Sequence, residues 1–277
     1  MTENLHPPEP VRRDLSPDAV VTALEDNAVE SIRTWSAWSE LELHEEPELL
    51  WTLTDIPFPF FNCVVRPRLS PDTVDAAIVA SRSRAAKRCV PLSWWLGPAP
   101  SPSDVETRLG DAGFEKTDEL IGMGVDLRRL AAPPPSPAGL TIEEVTDRKL
   151  FRRWCFLLGP IFDFPPQALT AWHRCYEAVG YGPDAPWRHF IALLDGVPVA
   201  TASLFLGAGV ASIANVGTAA DLRGRGLGRI ISAHPLTLAR DAGYHLGTLW
   251  ASKMGAPMYR RLGFRPFCLG PVYLWTP

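Results

Sequence analysis

Residues 215–228 read NVGTAADLRGRGLG. The β-favouring run ASIANVGTA (211–219) predicts a strand, and the segment from Asp221 to Tyr244 predicts a glycine-rich turn feeding a helix. Glycines at 224, 226 and 228 let the backbone take positive φ and approach a ligand closely. The N–H groups that open a helix carry partial positive charge and favour an anion. Arg223, Arg225 and Arg229 add guanidinium groups that suit phosphate oxygens. The stretch predicts a phosphate or pyrophosphate site, although on the loop alone a glycine turn with solvated arginines stays equally open. Two common phosphate loops are excluded. No Gly-Lys pair is present for a Walker loop, and the glycines are spaced GxGxG rather than the GxGxxG of dinucleotide folds. Pro235 costs about 3 kcal/mol inside a helix, so the sequence predicts a bend or break near His234.

A second motif lies downstream. ASKMGAPMYRRLGF (251–264) follows the predicted strand LGTLWAS (246–252) and places Tyr259 four residues before Gly263 and Phe264. With Arg223, Gly226 and Gly228 spaced Arg-x-x-Gly-x-Gly, the two ordered motifs resemble those of the GNAT (GCN5-related N-acetyltransferase) superfamily, which binds acetyl-coenzyme A. The resemblance covers about residues 140–277 and implies an α/β fold, a mixed twisted sheet flanked by helices. It implies that the backbone of Val216, Gly217 and Thr218 bonds the pantetheine arm and faces the thioester carbonyl. The loop Arg223, Gly224, Arg225, Gly226, Leu227, Gly228 and Arg229 would hold the pyrophosphate, Ser252 would bond coenzyme A, and Tyr259 would sit near the sulfur.

The chemistry gives those roles a physical sense. Acyl transfer from a thioester needs a neutral amine, a donor for the developing oxyanion and a proton for the departing thiolate. A backbone N–H can supply the second. A phenol of pKa about 10 can protonate a thiolate whose acid has pKa about 8.5, which makes Tyr259 a sensible general acid. No acid stands in ASIANVGTA to act as base. Asn215 could orient a water there, while Asp221, His173, His189 and His234 are further candidates. An amine arriving neutral needs no base. The segment GPIFDFPPQ (159–167) matches the part of the family that lines the acceptor pocket, with Phe162 and Phe164 as an apolar wall and Asp163 available to a cation. Ordinary anchoring of a loop to the core reads those residues equally well.

Upstream, LAAPPPSPAG (130–139) can join neither a helix nor a sheet interior and predicts a boundary between residues 1–136 and 137–277. The net charge of -4 divides unevenly across it. Residues 1–136 hold 13 Lys and Arg against 22 Asp and Glu, a formal -9, and residues 137–277 hold 14 against 9, a formal +5. After the boundary come a strand (140–145), two helices, a hairpin turning at Asp195 and Gly196, and then the two motifs.

The first half reads in a related order. A loose start (1–15) precedes a helix opened by Ser16 and Pro17, with Val21, Leu24, Ala28, Ile32 and Trp35 along one face. Strands follow at 49–56 and 60–65, a helix at 70–89, a strand at 91–97, a short helix at 101–114 and a strand at 120–127. LGDAGF and YRRLGF close the two short helices alike. This suggests two tandem GNAT folds, the first degenerate. Where the second half has RGRGLG the first has RPRLSPDT, without glycine and with prolines that remove N–H donors, and Leu109 stands where Tyr259 does. No coenzyme binding or catalysis is expected there. Such a half would complete the acceptor pocket or form a homodimer surface. Trp94 and Trp95 read as core.

A pI near 5.9 argues against a general nucleic-acid binder. No run approaches the roughly 20 apolar residues of a membrane helix, and MTENLHPPEPVRRD lacks the apolar run of a signal peptide. Five cysteines without a CxxC pair predict neither a disulfide framework nor a zinc site, but buried small hydrophobes in a reduced, cytoplasmic protein. The expected function is acetyl-coenzyme A-dependent acetylation of the primary amine of a small molecule. The alternative is a non-catalytic acyl-coenzyme A sensor, for which an acid beside the sulfur would have no use.

Overall fold

The computed structural model describes residues 10–98 and 101–277. In the first half these form α1 (Pro17–Arg33), β1 (Glu42–Glu46), β2 (Leu49–Leu53), β3 (Cys63–Val65), α2 (Val74–Lys87), β4 (Leu92–Trp95), α3 (Val105–Asp111) and β5 (Glu115–Asp126). The second half forms β6 (Leu140–Glu144), α4 (Arg148–Phe162), α5 (Pro166–Val179), β7 (Trp187–Leu194), β8 (Val197–Gly207), β9 (Val210–Thr218), α6 (Leu227–Asp241), β10 (Leu246–Ala251), α7 (Ala256–Arg260) and β11 (Arg265–Trp275). The strands join in one mixed sheet of order β1-β2-β3-β4-β11-β5-β10-β9-β8-β7-β6.

The centre of that order interleaves the halves. β11 lies between β4 and β5, antiparallel to both, and β5 lies between β11 and β10. Each half therefore completes the other's sheet, and neither presents a bare edge at the middle. The segment 130–139 has no helix or strand and is mostly exposed, but the hydrogen-bond ladder runs across the two sides of it.

Local signals account for most of the elements. Ser16 precedes α1 with Pro17 in its first turn, and the Asp147 carboxylate accepts the Leu150 N–H at 2.8 Å to start α4. Asp195 and Gly196 take φ of 49° and 80°, the left-handed pair that a two-residue hairpin between β7 and β8 requires. The two short helices end alike. Phe114 N–H donates to the Leu109 carbonyl at 2.9 Å, and Phe264 N–H donates to the Tyr259 carbonyl at 3.2 Å.

The structure differs from the sequence reading in several places. β1 was not expected: ELHEE carries no apolar alternation, and charge on a sheet edge is what keeps such a strand from pairing with another chain. α2 and α3 start several residues late, because residues 70–73 and 101–104 form turns. α6 is assigned without a break through Pro235, which is buried with the helix face packed on β8 and β9. On α1, Leu24 and Ile32 are buried, whereas Val21 and Ala28 are only partly so, and Val20, Ala23 and Asn27 take their place. Cys63, Cys155 and Cys175 are buried, but Cys89 is exposed and Cys268 is partly so. Trp94 is buried, and Trp95 is partly exposed. The loose start predicted for 1–15 falls largely on residues 1–9, outside the described residues.

An aromatic core also spans the halves. Trp172 of α5 meets Trp35, Phe60 and Phe61 at ring-centroid distances of 6.5, 4.8 and 5.6 Å. Trp172 is 1% exposed. Trp172→Ala should therefore cost about 3–5 kcal/mol of stability, read as a fall in the urea midpoint followed by far-UV circular dichroism.

Candidate functional site: an opened strand pair at a helix start

β9 and β10 run parallel but pair only at Ala211 with Gly247 and Ser212 with Thr248. Beyond those residues β9 continues to Thr218 and β10 to Ala251 without a shared register, so the strands part. A bulge lies in the parting strand. Against β8, the register jumps from Ser203 opposite Ala214 to Thr201 opposite Gly217, so Ala202 faces both Asn215 and Val216. Asn215 has φ 52°, the left-handed region.

The bulge is fastened from inside. Asn215 Nδ2 donates to Ser203 Oγ at 3.0 Å and to the Tyr176 hydroxyl at 3.4 Å. Thr201 Oγ1 donates to the Asn215 carbonyl at 2.8 Å, and Ser203 Oγ lies 2.8 Å from His189 Nδ1. Thr201, Ser203 and His189 are completely buried. Ser203, His189 and Tyr176 were not singled out from the sequence as partners of Asn215. The available signal was Thr201 and Ser203 two apart in an otherwise apolar strand, which puts two hydroxyls on one face.

The chain leaving β9 crosses to α6 through the glycine loop. Gly226 stands at the N-cap with φ 83°, a conformation costly for any side chain, and a Cβ there would lie 3.1 Å from Pro134 Cγ. The first turn closes by Arg229 N–H and Ile230 N–H donating to the Gly226 carbonyl at 3.0 and 3.2 Å. No acceptor among the described residues meets the N–H groups of residues 224–228. Arg223 Nε donates to the Thr218 carbonyl at 3.3 Å and Nη2 to the Ile161 carbonyl at 3.5 Å. Arg229 Nη2 reaches the Ala132 carbonyl at 3.5 Å, and its buried Nε has no partner. Among the described residues, no carboxylate lies within 4.0 Å of Arg223, Arg225 or Arg229. Helix start and unneutralised guanidinium groups together form an anion-binding surface.

α7 closes the other side. A Cβ on Gly228 would lie 3.6 Å from Thr218 Oγ1 and 3.8 Å from Met258 Cε, so the strand end, the helix start and α7 converge. Tyr259 is 8% exposed and stands edge-on to Phe264 at 5.8 Å. Burial pushes its phenol well above the ordinary tyrosine value, so it keeps its proton. Ser252 Oγ accepts the Gly255 N–H at 3.1 Å, which gives it a local turn-forming role at the start of α7.

The segment 159–167 divides. Phe164 turns inward, 5.1 Å from both Phe58 and Trp172. Phe162 stays 39% exposed, and its Cζ would lie 3.3 Å from a Cβ on Gly217. Asp163 ends α4 with φ 53°. The histidines do not gather at the bulge as free bases. Burial lowers all three, His189 to about 3. His173 lies 3.7 Å from Glu177, and His234 stands against Phe190. A small apolar cavity of about 60 Å³ lies elsewhere, walled by Ala28, Val29, Trp95, Leu120 and Trp250. No residue of the glycine loop lines it.

Residues 153–264 match the acetyltransferase (GNAT) family. No curated protein matches the chain. A GCN5-related N-acetyltransferase from Kribbella flavida superposes with a TM-score of 0.68 at 22% identity, over 91% of this chain and 95% of that one. A GCN5-related N-acetyltransferase from Sphaerobacter thermophilus gives 0.63 at 17%, over 95% and 94%. A tandem GNAT protein from the clavulanic acid biosynthesis pathway gives 0.60 at 16%, over 96% and 97%. These likenesses show a shared fold over nearly the whole chain, and the family match supports the GNAT superfamily for the region holding both motifs. No described helix is long and apolar enough to cross a membrane.

The buried His189 has a measurable consequence. Its pKa is about 3 in the folded protein against about 6.5 for an ordinary histidine, so between those values the unfolded chain binds the extra proton. The contribution is complete above pH about 6.5 and is lost as pH falls toward 3, at up to about 1.4 kcal/mol per pH unit. Urea denaturation at a series of pH values should show a shallower acid dependence in His189→Gln than in the parent; equal slopes would contradict a neutral buried ring.

Proposed function

We propose that the chain is an acetyl-coenzyme A-dependent N-acetyltransferase that acylates the primary amine of a small molecule, with the chemistry in residues 137–277. The observation that carries this reading is the junction of the opened β9 and β10 with an α6 start where, among the described residues, the N–H groups of 224–228 meet no acceptor and the arginines meet no carboxylate. A polyanionic coenzyme fits that donor set. The amides of Gly224, Arg225, Gly226, Leu227 and Gly228, with the Arg223 and Arg229 side-chain charges, are assigned to the pyrophosphate, since the Arg229 N–H already closes the first turn of α6 on the Gly226 carbonyl. The backbone of Val216, Gly217 and Thr218 is assigned to the pantetheine arm, and Ser252 to a further contact.

The bound coenzyme would supply an activated acetyl thioester. The protein's part is to hold it, to aim a β9 amide at its carbonyl oxygen, and to exclude water. The Tyr259 hydroxyl would give its proton to the sulfur as the thiolate leaves; burial keeps the phenol protonated for that step while making it a weaker acid than a free tyrosine. The acceptor amine enters neutral. Asn215 stands where the strand opens, but its Nδ2 is already engaged by Ser203 and Tyr176.

The first half reads as a degenerate second copy. β3-α2-β4-α3-β5 repeats the order of β9-α6-β10-α7-β11, with β3 and β4 also parallel. There the pair is closed: all three β3 residues are in register with β4. The donors after it are engaged, with Arg68 N–H on the Glu48 carbonyl, Leu69 N–H on the Ser101 carbonyl and Ser70 N–H on Thr73 Oγ1. Leu109, at the Tyr259 position, is fully buried.

Calorimetry with acetyl-coenzyme A should give one site per chain; two equivalent sites would remove the degenerate-copy reading. Tyr259→Phe should lower kcat by about 10²–10⁴ with coenzyme affinity largely kept. Unchanged thiol release across an amine panel would take the phenol out of the proton path. Gly226→Val should weaken coenzyme binding through its positive φ and the Pro134 contact, and an unaltered Kd would count against the loop.

A further inference from the structure

The buried chain His189–Ser203–Asn215 lies behind the parted strand and has no role in the scheme above. Its proton arrangement follows from counting donors. The Ser203 hydroxyl accepts from Asn215 Nδ2, which can only donate. Its own proton needs an acceptor, and among the described residues the remaining polar neighbour is His189 Nδ1 at 2.8 Å. A neutral imidazole offers that lone pair. The price is a buried His189 Nε2 with no partner, enclosed by Trp154 and Tyr176 at centroid distances of 4.1 and 4.7 Å. Such an orphan is destabilising in itself, so the arrangement calls for a compensating use.

That use is the geometry of Asn215. A residue with a side chain held at φ 52° is strained, and Asn tolerates this region better than most because its short amide can bond locally. Here the amide bonds inward to Ser203 and Tyr176 while the Asn215 carbonyl takes the Thr201 hydroxyl, so side chain and backbone are both pinned to β8 and α5. The next residue, Val216, lies in the stretch of β9 beyond Ser212 whose backbone has left β10. We infer that Asn215, Ser203 and His189 are positioning residues that lock the β9 bulge so that the amides following it point at the thioester carbonyl. The inference rests on the acetyltransferase reading and adds to it. Asn215 acts through backbone geometry and not as a base or a water holder.

A glycine at 215 adopts positive φ freely, whereas alanine does not, and neither supplies an amide side chain. This separates geometry from chemistry. The test measures Kd for coenzyme A and for acetyl-coenzyme A by calorimetry, without acceptor, and then kcat with an accepted amine. Asn215→Ala and Ser203→Ala should keep the coenzyme A Kd within about twofold while weakening acetyl-coenzyme A binding and lowering kcat by about 10-fold or more. Asn215→Gly frees φ but removes the amide, so it should recover only part of what Asn215→Ala loses, to about the level of Ser203→Ala, in both readouts. Parent values in Asn215→Gly would overturn the inference, since the amide bonds to Ser203 and Tyr176 would then lock nothing. No loss in any variant would overturn it too, as would a parallel loss of coenzyme A affinity, which marks general damage to the fold. A parent protein that binds neither coenzyme would sink the acetyltransferase reading beneath it, an outcome distinct from all of these.

Discussion

Two strands hold the sheet together at its middle. β5, from the first half, bonds to β10 and β11 of the second, and β11 bonds back to β4 and β5. A strand buried in a sheet needs a partner on each side for its N–H and C=O groups. Removing either half would break three ladders at once. The interleaving also brings Trp250 of β10 against Gly122 of β5 and Gly270 of β11, where a Cβ would lie 3.1 and 2.8 Å from its ring. The same constraint fixes the position of β10, which is held fully by β5 on one side and for only two residues by β9 on the other. β10 can part from β9 because its far edge is secured.

That asymmetry explains why related element orders have different chemical potential. Between β3 and β4 the backbone groups are satisfied by each other, and a ligand would have to break the ladder to enter. Between β9 and β10 the ladder stops early, and among the described residues the N–H groups of 224–228 in the following loop meet no acceptor. In a protein interior such groups are costly unless water or a ligand meets them. The loop is largely exposed, so water can serve until an anion displaces it. The two bulge-facing hydroxyls on β8 and the fastened Asn215 then define where β9 turns away.

The elements visible in sequence were those with local causes. The hairpin at Asp195 and Gly196, the matching ends of α3 and α7, and the glycine turn into α6 each rest on a few residues whose chemistry allows few conformations. The helix start at residues 223–229 was legible for the same reason, with its arginines. Elements with distant causes were missed. β1 has a polar sequence and exists because β2 offers it an edge. The continuous α6 overrides the local cost of Pro235 by packing against the sheet. The strand exchange depends on pairs more than a hundred residues apart, and so does part of the aromatic core. Asn215 stood out as the polar residue of its strand, but its direction was not readable, because Tyr176, Ser203 and His189 come from three other elements.

Charge has to be judged at contact range in the same way. The first half carries a formal -9, which would suggest an open acidic surface. In the fold many of those carboxylates face the half's own arginines: Glu45 pairs with Arg33, Glu25 with Arg68, Glu42 and Asp55 with Arg88, and Asp75 and Asp104 with Arg108. Exposed pairs of this kind add little stability, but each cancels a charge that could otherwise act at a distance. The second half has the smaller imbalance, yet it leaves Arg223, Arg225 and Arg229 without a carboxylate at the start of α6. A cluster of like charges beside a helix start is unfavourable in isolation, and an anion relieves it. The location of unneutralised charge, more than the sum over either half, is therefore what makes the loop after β9 the surface that favours an anion.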